Sequence, residues 1–383
     1  MHQYGDIAGS YALCCFSIFQ SNNNSFGKGL APLQAFNHEF MKSTRLAMLK
    51  DEKVSACNVC YDWEKNGIES PRQKMNIRFK DYKQLFNKTD KDGSVSNPPM
   101  YIDFRFGNLC NFKCRMCGSY ASSSWAKEAK FHGMMKQTAP NHYDYWTDNE
   151  DFWKDIDYIK KYIREIYFAG GEPFVQKGHY KLLEFLSDNN CTNIHLTYNT
   201  NLSYDGKFKS YQIEELWEKF KKVSLWPSIE GYKAHAEYGR TGLEWSLFEK
   251  NVDRFSKYIS DFSLAGSVYS ITSNLELILW IKSKGKSFNI TNVVQPAFQS
   301  TTVFDLKTKK DIMTKYRNLL KKYQNVLSKY ELSIILDSLK HMMSKDDSHL
   351  AKEFKEYNVK LDLYRNESFE SVYGELAEWY KNI

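Results

Sequence analysis

The chain has 383 residues, 42% of them hydrophobic and 26% charged, with a formal net charge of +7. That is enough apolar material for one large globular domain with a smaller one beside it. The mild positive charge permits an anionic partner but falls short of the clustered basic stripe of a dedicated nucleic-acid binder.

Aromatic residues make up 16% of the chain, spread along its whole length, and read as core material rather than a base-stacking surface. The start, MHQYGDIAGSYALCCFSIF, lacks the basic n-region and sustained apolar stretch of a signal peptide. The most apolar later segment, NLELILWI, is too short to cross a bilayer. A soluble, cytoplasmic protein with no membrane partner is expected. Eight cysteines in a reducing compartment point to metal ligands or core thiols rather than disulfides.

In chain order, a first region over 1–90 carries Cys14, Cys15, Cys57 and Cys60. The polar, turn-rich NKTDKDGSVSNPP (87–99) reads as a linker out of it. A core over 91–299 follows, in which short β-rich runs alternate with amphipathic stretches. MYIDFRFG (100–107) is the first strand, and EIYFAGGEP (165–173) holds the second, followed by the helical KGHYKLLEFLSDN. NIHLTYNTN (193–201), VSLWPSIEG (223–231), FSLAGSVYSI (262–271) and SFNITNVV (287–294) are the third to sixth. This alternation predicts an α/β fold with a parallel sheet, either an open doubly wound sheet or an incomplete barrel. Both place ligands at the carboxyl ends of the strands. The region 300–383 has helical periodicity and many charges, and reads as a helical cap with solvated faces. There is no convincing internal repeat. Tyr167, His195, Tyr198, Tyr269 and Asn292 fall on expected strands, and a one-residue register slip would reverse which of them face inward.

Seven of the eight cysteines are clustered; the lone Cys191 reads as a buried free thiol. Cys110, Cys114 and Cys117 form a C-x3-C-x2-C loop directly after the first expected strand. A structural zinc site usually has four protein ligands, commonly two distant C-x2-C pairs. Three thiols can hold three irons of a four-iron, four-sulfur cluster and leave the last open to an exogenous ligand, as a catalytic metal requires. A structural zinc and a redox thiol pair are the duller alternatives.

The loop resembles the hallmark of the radical S-adenosylmethionine (radical SAM) superfamily, and further motifs follow in the same order. AGGEP (169–173) resembles its glycine-rich motif, YNTN (198–201) stands where the family often has TNG, and SIEG (228–231) where it has S-x-D-G. EYGRTG (237–242) resembles its R-x-G. The resemblance implies a partial (β/α)6 TIM-like barrel with a small N-terminal cysteine domain and a helical C-terminal region. It implies a [4Fe-4S] cluster on Cys110, Cys114 and Cys117. It also implies SAM contacts from Gly170, Gly171, Glu172, Asn199, Ser228 and Arg240, with the guanidinium meeting the SAM carboxylate. Glu230 departs from the usual Asp. The chemistry implied is one-electron cleavage of SAM to methionine and a 5′-deoxyadenosyl radical, which takes a hydrogen atom from substrate.

The segment from FNHEF to RQKMN resembles Twitch-domain (SPASM/Twitch-like) radical SAM proteins of bacteria and phages. These begin with a further C-x-x-P-W-like segment that has no counterpart before HQYGDIAGSYALCC, which implies a truncated or misassigned start. Cys14, Cys15, Cys57 and Cys60 are candidate ligands of an auxiliary iron–sulfur cluster or a zinc ion, reduced thiols being the alternative. Glu64 and Arg72 belong to the folding signature of this region. The resemblance implies a peptide or protein substrate and an electron donor such as flavodoxin or ferredoxin. A nucleotide, sugar or other small metabolite is the alternative substrate, and a non-catalytic iron–sulfur or zinc binding protein the alternative class. No catalytic acid or base can be named.

Overall fold

The computed structural model describes residues 2–17, 25–131, 145–204, 207–208, 211–323 and 325–383. In chain order the described residues form twelve strands: β1 (His2–Gly5), β2 (Tyr11–Ala12), β3 (Tyr101–Phe104), β4 (Lys113–Cys114), β5 (Glu165–Phe168), β6 (His195–Thr200), β7 (Lys207–Phe208), β8 (Tyr211–Gln212), β9 (Lys222–Ile229), β10 (Arg240–Thr241), β11 (Asp261–Gly266) and β12 (Ser287–Asn292). The six β-rich runs of the sequence are β3, β5, β6, β9, β11 and β12. Helices follow them at Lys177–Asp188, Ile213–Trp217, Trp245–Arg254 and Asn274–Ser283. The fold is α/β with mostly parallel strand pairing.

The chain divides into two units. The first comprises Met1–Asn108, His142–Thr197 and Gly206–Val223. Its strands lie in the order β6-β5-β3-β1-β2. β1 and β5 flank β3 in parallel, pairing Gln3 and Ile166 with Ile102. One face of β3 is apolar: the Phe104 ring meets Trp146 at 5.0 Å and Phe152 at 5.2 Å, the latter on the helix Glu150–Ile159. The other face carries Asp103, followed by Arg105, with Tyr4 of β1 and Tyr167 of β5 packed on the Arg105 guanidinium. The stretch 87–99, expected as a linker, is an ordered turn pinned to the helix Glu39–Leu49. Thr89 bridges Val95, Arg45 donates to the Gly93 carbonyl at 3.0 Å, and Lys42 pairs with Asp92 at 2.7 Å.

The second unit comprises Leu109–Asn141, Tyr198–Asp205 and Ser224–Ile383, with strands in the order β12-β11-β9-β6. Leu264 of β11 stands between Ile229 of β9 and Ile290 of β12, all in parallel register. Trp280 covers this sheet, with its ring 5.0 Å from Trp245 and 5.8 Å from Phe262. β11 stops at Gly266, short of the expected 271, because serines draw the chain into a turn. Ser270 Oγ donates to the Ala265 carbonyl at 2.6 Å and accepts from the Ser267 amide at 3.0 Å. Tyr269 is therefore on that turn rather than on a strand.

The C-terminal helices Leu306–Tyr323, Lys329–Met343 and Ala351–Arg365 are less solvated than the sequence suggested. Phe354, Asn358 and Leu361 are all fully buried, and the Tyr316 hydroxyl donates to the Ile271 carbonyl at 2.8 Å. Charges along a helix register only its exposed face, and here the opposite face is core. No helix among the described residues is long and apolar enough to cross a membrane.

Candidate active site

The loop Leu109–Gly118 is built so that its main chain is held from several directions. The Ser124 hydroxyl donates to the Cys110 carbonyl at 2.7 Å, the Ser122 hydroxyl to Phe112 O at 2.6 Å, and the Trp125 indole to Cys114 O at 2.7 Å. These partners sit at or just before the start of the helix Ser123–Phe131, so the residues that begin the helix also fasten the loop. Asn201, at the end of β6, donates to Asn111 Oδ1 at 2.9 Å. Cys110, Cys114 and Cys117 form no disulfide and are partly exposed. Burial pushes the Cys117 thiol up to about 12, with Cys114 nearby adding to the effect.

The R-x-G arginine meets this loop directly. β10 pairs antiparallel with β4, setting Arg240 opposite Cys114 and Thr241 opposite Lys113. The Arg240 side chain forks onto Glu230, Nη2 to Oε1 at 2.7 Å and Nε to Oε2 at 2.5 Å. Glu230 is buried, as is most of the guanidinium. Burial works against the Arg240 charge, but Glu230, with Cys114 and Cys110 close by, more than offsets this and raises its pKa. Burial raises the Cys114 thiol too, against the pull of Arg240. Of the remaining candidates in this unit, Ser228 pairs in register with Ser263, and Asn199 has a buried side-chain oxygen with no hydrogen-bond partner among the described residues.

In the first unit, AGGEP is a tight turn after β5. Gly170 has φ +77° and Gly171 φ +54°, both left-handed, and a Cβ on Gly170 would come within 2.9 Å of the Arg105 side chain. Glu172 is buried and accepts a hydrogen bond from the Phe174 amide at 3.2 Å. Its carboxylate thus caps the turn of helix Pro173–Val175. Asp103 and Arg105 pair at 2.8 Å; burial pushes the Asp103 carboxyl up to about 6, with Arg105 pulling it back.

The four N-terminal cysteines point to two environments. Cys57 and Cys60 are buried, and Cys14 lies within electrostatic reach of both, its thiol pushed up to about 11 by burial. Cys15, pushed by burial to about 12, feels Arg105 and Asp103 instead. Glu64 and Arg72 form a two-pronged pair at 2.6 and 3.1 Å beside Ser70, which caps the helix Pro71–Arg78. Cys191 is partly exposed, not buried, and donates to the Asn189 carbonyl at 3.4 Å.

Residues 104–269 match the Radical SAM superfamily. This stretch is a radical SAM domain. It makes the chain an enzyme of the radical SAM class. No curated protein matches the chain. Among solved structures it is similar to Streptococcus suis SuiB bound to S-adenosylmethionine, with TM-score 0.41 and 14% identity, covering 84% of this chain and 69% of that one. It is likewise similar to SuiB bound to precursor peptide SuiA, with TM-score 0.40, 13% identity and the same coverage.

Radical SAM domains in general take SAM and a [4Fe-4S] cluster. Among the described residues no three His, Cys, Asp or Glu side chains are gathered tightly enough to close around a metal ion. The donor set of the radical SAM loop nevertheless fits the cluster in kind. It offers three thiols outside any disulfide on one fastened loop, a guanidinium beside them, and, in the same unit, the Asn199 amide oxygen, unpartnered among the described residues.

Sequence reasoning missed the residue inside the loop that holds it most firmly. Arg115, between Cys114 and Cys117, is fully buried and reaches Asn358, Asp362 and Glu367 in the C-terminal region. The available signal was an arginine between two metal-type cysteines. Nothing local indicates its partners.

Proposed function

We propose that the chain cleaves SAM reductively at a [4Fe-4S] cluster held by Cys110, Cys114 and Cys117. The 5′-deoxyadenosyl radical so formed takes a hydrogen atom from a peptide or protein substrate in the cytoplasm. The observation that carries this reading is the β4–β10 pairing, which sets the R-x-G arginine opposite the central cysteine of the loop. When bound, the cluster supplies the electron that splits the carbon–sulfur bond of SAM, itself replenished by a donor such as flavodoxin or ferredoxin.

The chain's own residues bind and orient. Arg240 is the partner for the SAM carboxylate, its fork matching two carboxylate oxygens, and must share or release Glu230 to act so. The carbonyls of the Gly170–Gly171 turn suit the SAM ammonium, since the absent side chains allow close backbone approach. Glu172 stabilises that turn as its cap and adds negative charge beside it. Asn199 and Ser228 supply an acceptor and a hydroxyl for the nucleoside. The six strand–helix units are read as a partial barrel around these groups. Cys14, Cys57 and Cys60 are proposed to hold an auxiliary iron–sulfur cluster or zinc, and this Twitch-like region supports the peptide substrate.

Anaerobic reconstitution with iron and sulfide, followed by dithionite and SAM, tests the reading. Expected are at least about four irons per chain and 5′-deoxyadenosine as product. Cys114→Ala should lose both cluster and product. Zinc without iron, or product retained by the variant, would overturn the assignment.

A further inference from the structure

Arg115 has no exposed surface, yet it stands in the middle of the cysteine loop. Taking a guanidinium out of water is costly unless its donors are met. Here they are: Nε donates to Tyr238 O at 3.2 Å, Nη1 to Asn358 Oδ1 at 3.0 Å, and Nη2 to Asp362 at 2.6 Å and Glu367 at 2.5 Å. The guanidinium also lies 3.6 Å from the centre of the Tyr238 ring. The main chain of the same residue is equally engaged. Its amide donates to Gly239 O at 2.8 Å, while its carbonyl accepts from Gln299 at 2.9 Å and the Tyr357 hydroxyl at 2.8 Å.

These partners fall in three places. Tyr238 and Gly239 immediately precede Arg240, which pairs with Cys114. Tyr357, Asn358 and Asp362 lie on the helix Ala351–Arg365, and Glu367 just beyond it. Gln299 follows the last strand. Asp362 is itself fixed by the Tyr238 hydroxyl at 2.9 Å and the Phe369 amide at 2.8 Å, so the acceptor cannot simply follow a moving loop.

We propose that Arg115 is a positioning residue for the cluster ligands. It locks the loop between Cys114 and Cys117 to the arginine strand and to the C-terminal helix, so that the three thiols are presented in one fixed backbone arrangement. This rests on the proposed cluster at Cys110, Cys114 and Cys117. The C-terminal helical region is then part of the cluster site's support rather than a cover over it. Removing such outer supports typically costs roughly 10- to 100-fold in metal affinity.

The test compares wild type, Arg115→Lys, Arg115→Met and Glu367→Gln, all full-length and reconstituted anaerobically. Iron and sulfide per chain, the rate of iron loss to a chelator, and the electron paramagnetic resonance spectrum of the reduced protein with and without SAM are read. The melting temperature of each iron-free chain is read alongside. Expected is iron loss roughly tenfold or more faster in Arg115→Met, with an altered spectrum. Arg115→Lys should be intermediate, and Glu367→Gln shifted in the same direction by less. A lowered melting temperature with iron retention and spectrum as in wild type would overturn the proposal, leaving Arg115 a purely structural residue. Should Arg115→Met not fold, Glu367→Gln decides by the same readouts. Wild type that takes up no iron would remove the cluster assignment, and this proposal with it; wild type that takes it up isolates the role of Arg115.

Discussion

Arg240 is a buried cation gripped at both ends by one carboxylate, with its backbone paired to Cys114. Two charges at this depth are stable only together, since either alone would be stranded in a poor solvent. The extra methylene of Glu230 relative to aspartate suits this reach across a ten-residue separation in the chain. If the guanidinium also takes the SAM carboxylate, Arg240→Ala should weaken SAM binding by about 1.5–3 kcal/mol, roughly ten- to hundredfold in Kd. The same change strands Glu230, so a stability loss is expected beside it. Arg240→Lys separates the two effects, because it keeps the charge and loses the fork. Its SAM affinity should fall while its stability falls less. Calorimetric titration of the reconstituted proteins with SAM measures this, and an unchanged affinity in Arg240→Ala would show that another cation serves the carboxylate.

The helix Lys177–Asp188 shows how an element can be legible in pattern while its fit is not. Its apolar spacing places it after the second strand, where it is found. What the pattern does not reveal is that Gly178 admits close packing: a Cβ there would lie 2.3 Å from both the Phe106 ring and the Thr147 hydroxyl. Gly178→Ala should therefore destabilise by about 1–3 kcal/mol through overpacking, outweighing the usual helical gain, as a denaturant midpoint would show. The next residue sets a pH dependence. Burial lowers His179 to about 3, so the fold holds the imidazole neutral. As pH falls below the ordinary value near 6.5, the unfolded chain takes up the proton first. Stability from this residue is therefore complete above that value and is lost progressively down to about 3. Between pH 7 and 5 the iron-free wild type should lose more stability than His179→Gln; equal losses would mean the imidazole is hydrated. The helix Ala351–Arg365 is the contrary case, since its charges masked a buried face that meets the cysteine loop through Asp362 and packs Phe354 against Tyr269 and Phe369.

Across the whole molecule, the legible features were those whose cause is local. Strands announced themselves by β-branched and aromatic runs, and the cysteine loop by ligand spacing. Arg240 was singled out from its motif, but its pairing with Cys114 joins distant parts of the chain, as does the contact of Arg115 with Glu367 across a separation of 252 residues. β1 escaped notice because four residues, HQYG, carry no readable alternation, and it is the pairing with β3 and β2 that makes them a strand. The N-terminal cysteines are a mixed case. Spacing singled out Cys57 and Cys60 as a pair, while adjacency in sequence could not tell whether one or both of Cys14 and Cys15 join them. The two lie in a turn after β2, where Cys14 is within electrostatic reach of Cys57 and Cys60 while Cys15 is within reach of Arg105 and Asp103. This division gives the auxiliary site a specific test. Cys14, Cys57 and Cys60 belong to the first unit, and the cluster loop to the second. If the auxiliary group is an iron–sulfur cluster, wild type should bind about eight irons per chain and Cys57→Ser/Cys60→Ser about four, with uncoupled SAM cleavage retained. Cys15→Ser should leave the iron count at the wild-type value, because its thiol lies within electrostatic reach of Arg105 and Asp103 rather than of Cys57 and Cys60. A zinc ion would instead appear as metal lost from the double variant with iron unchanged at about four. About four irons in wild type with no zinc would sink the auxiliary site, and an iron count lowered by Cys15→Ser would return that thiol to the ligand set.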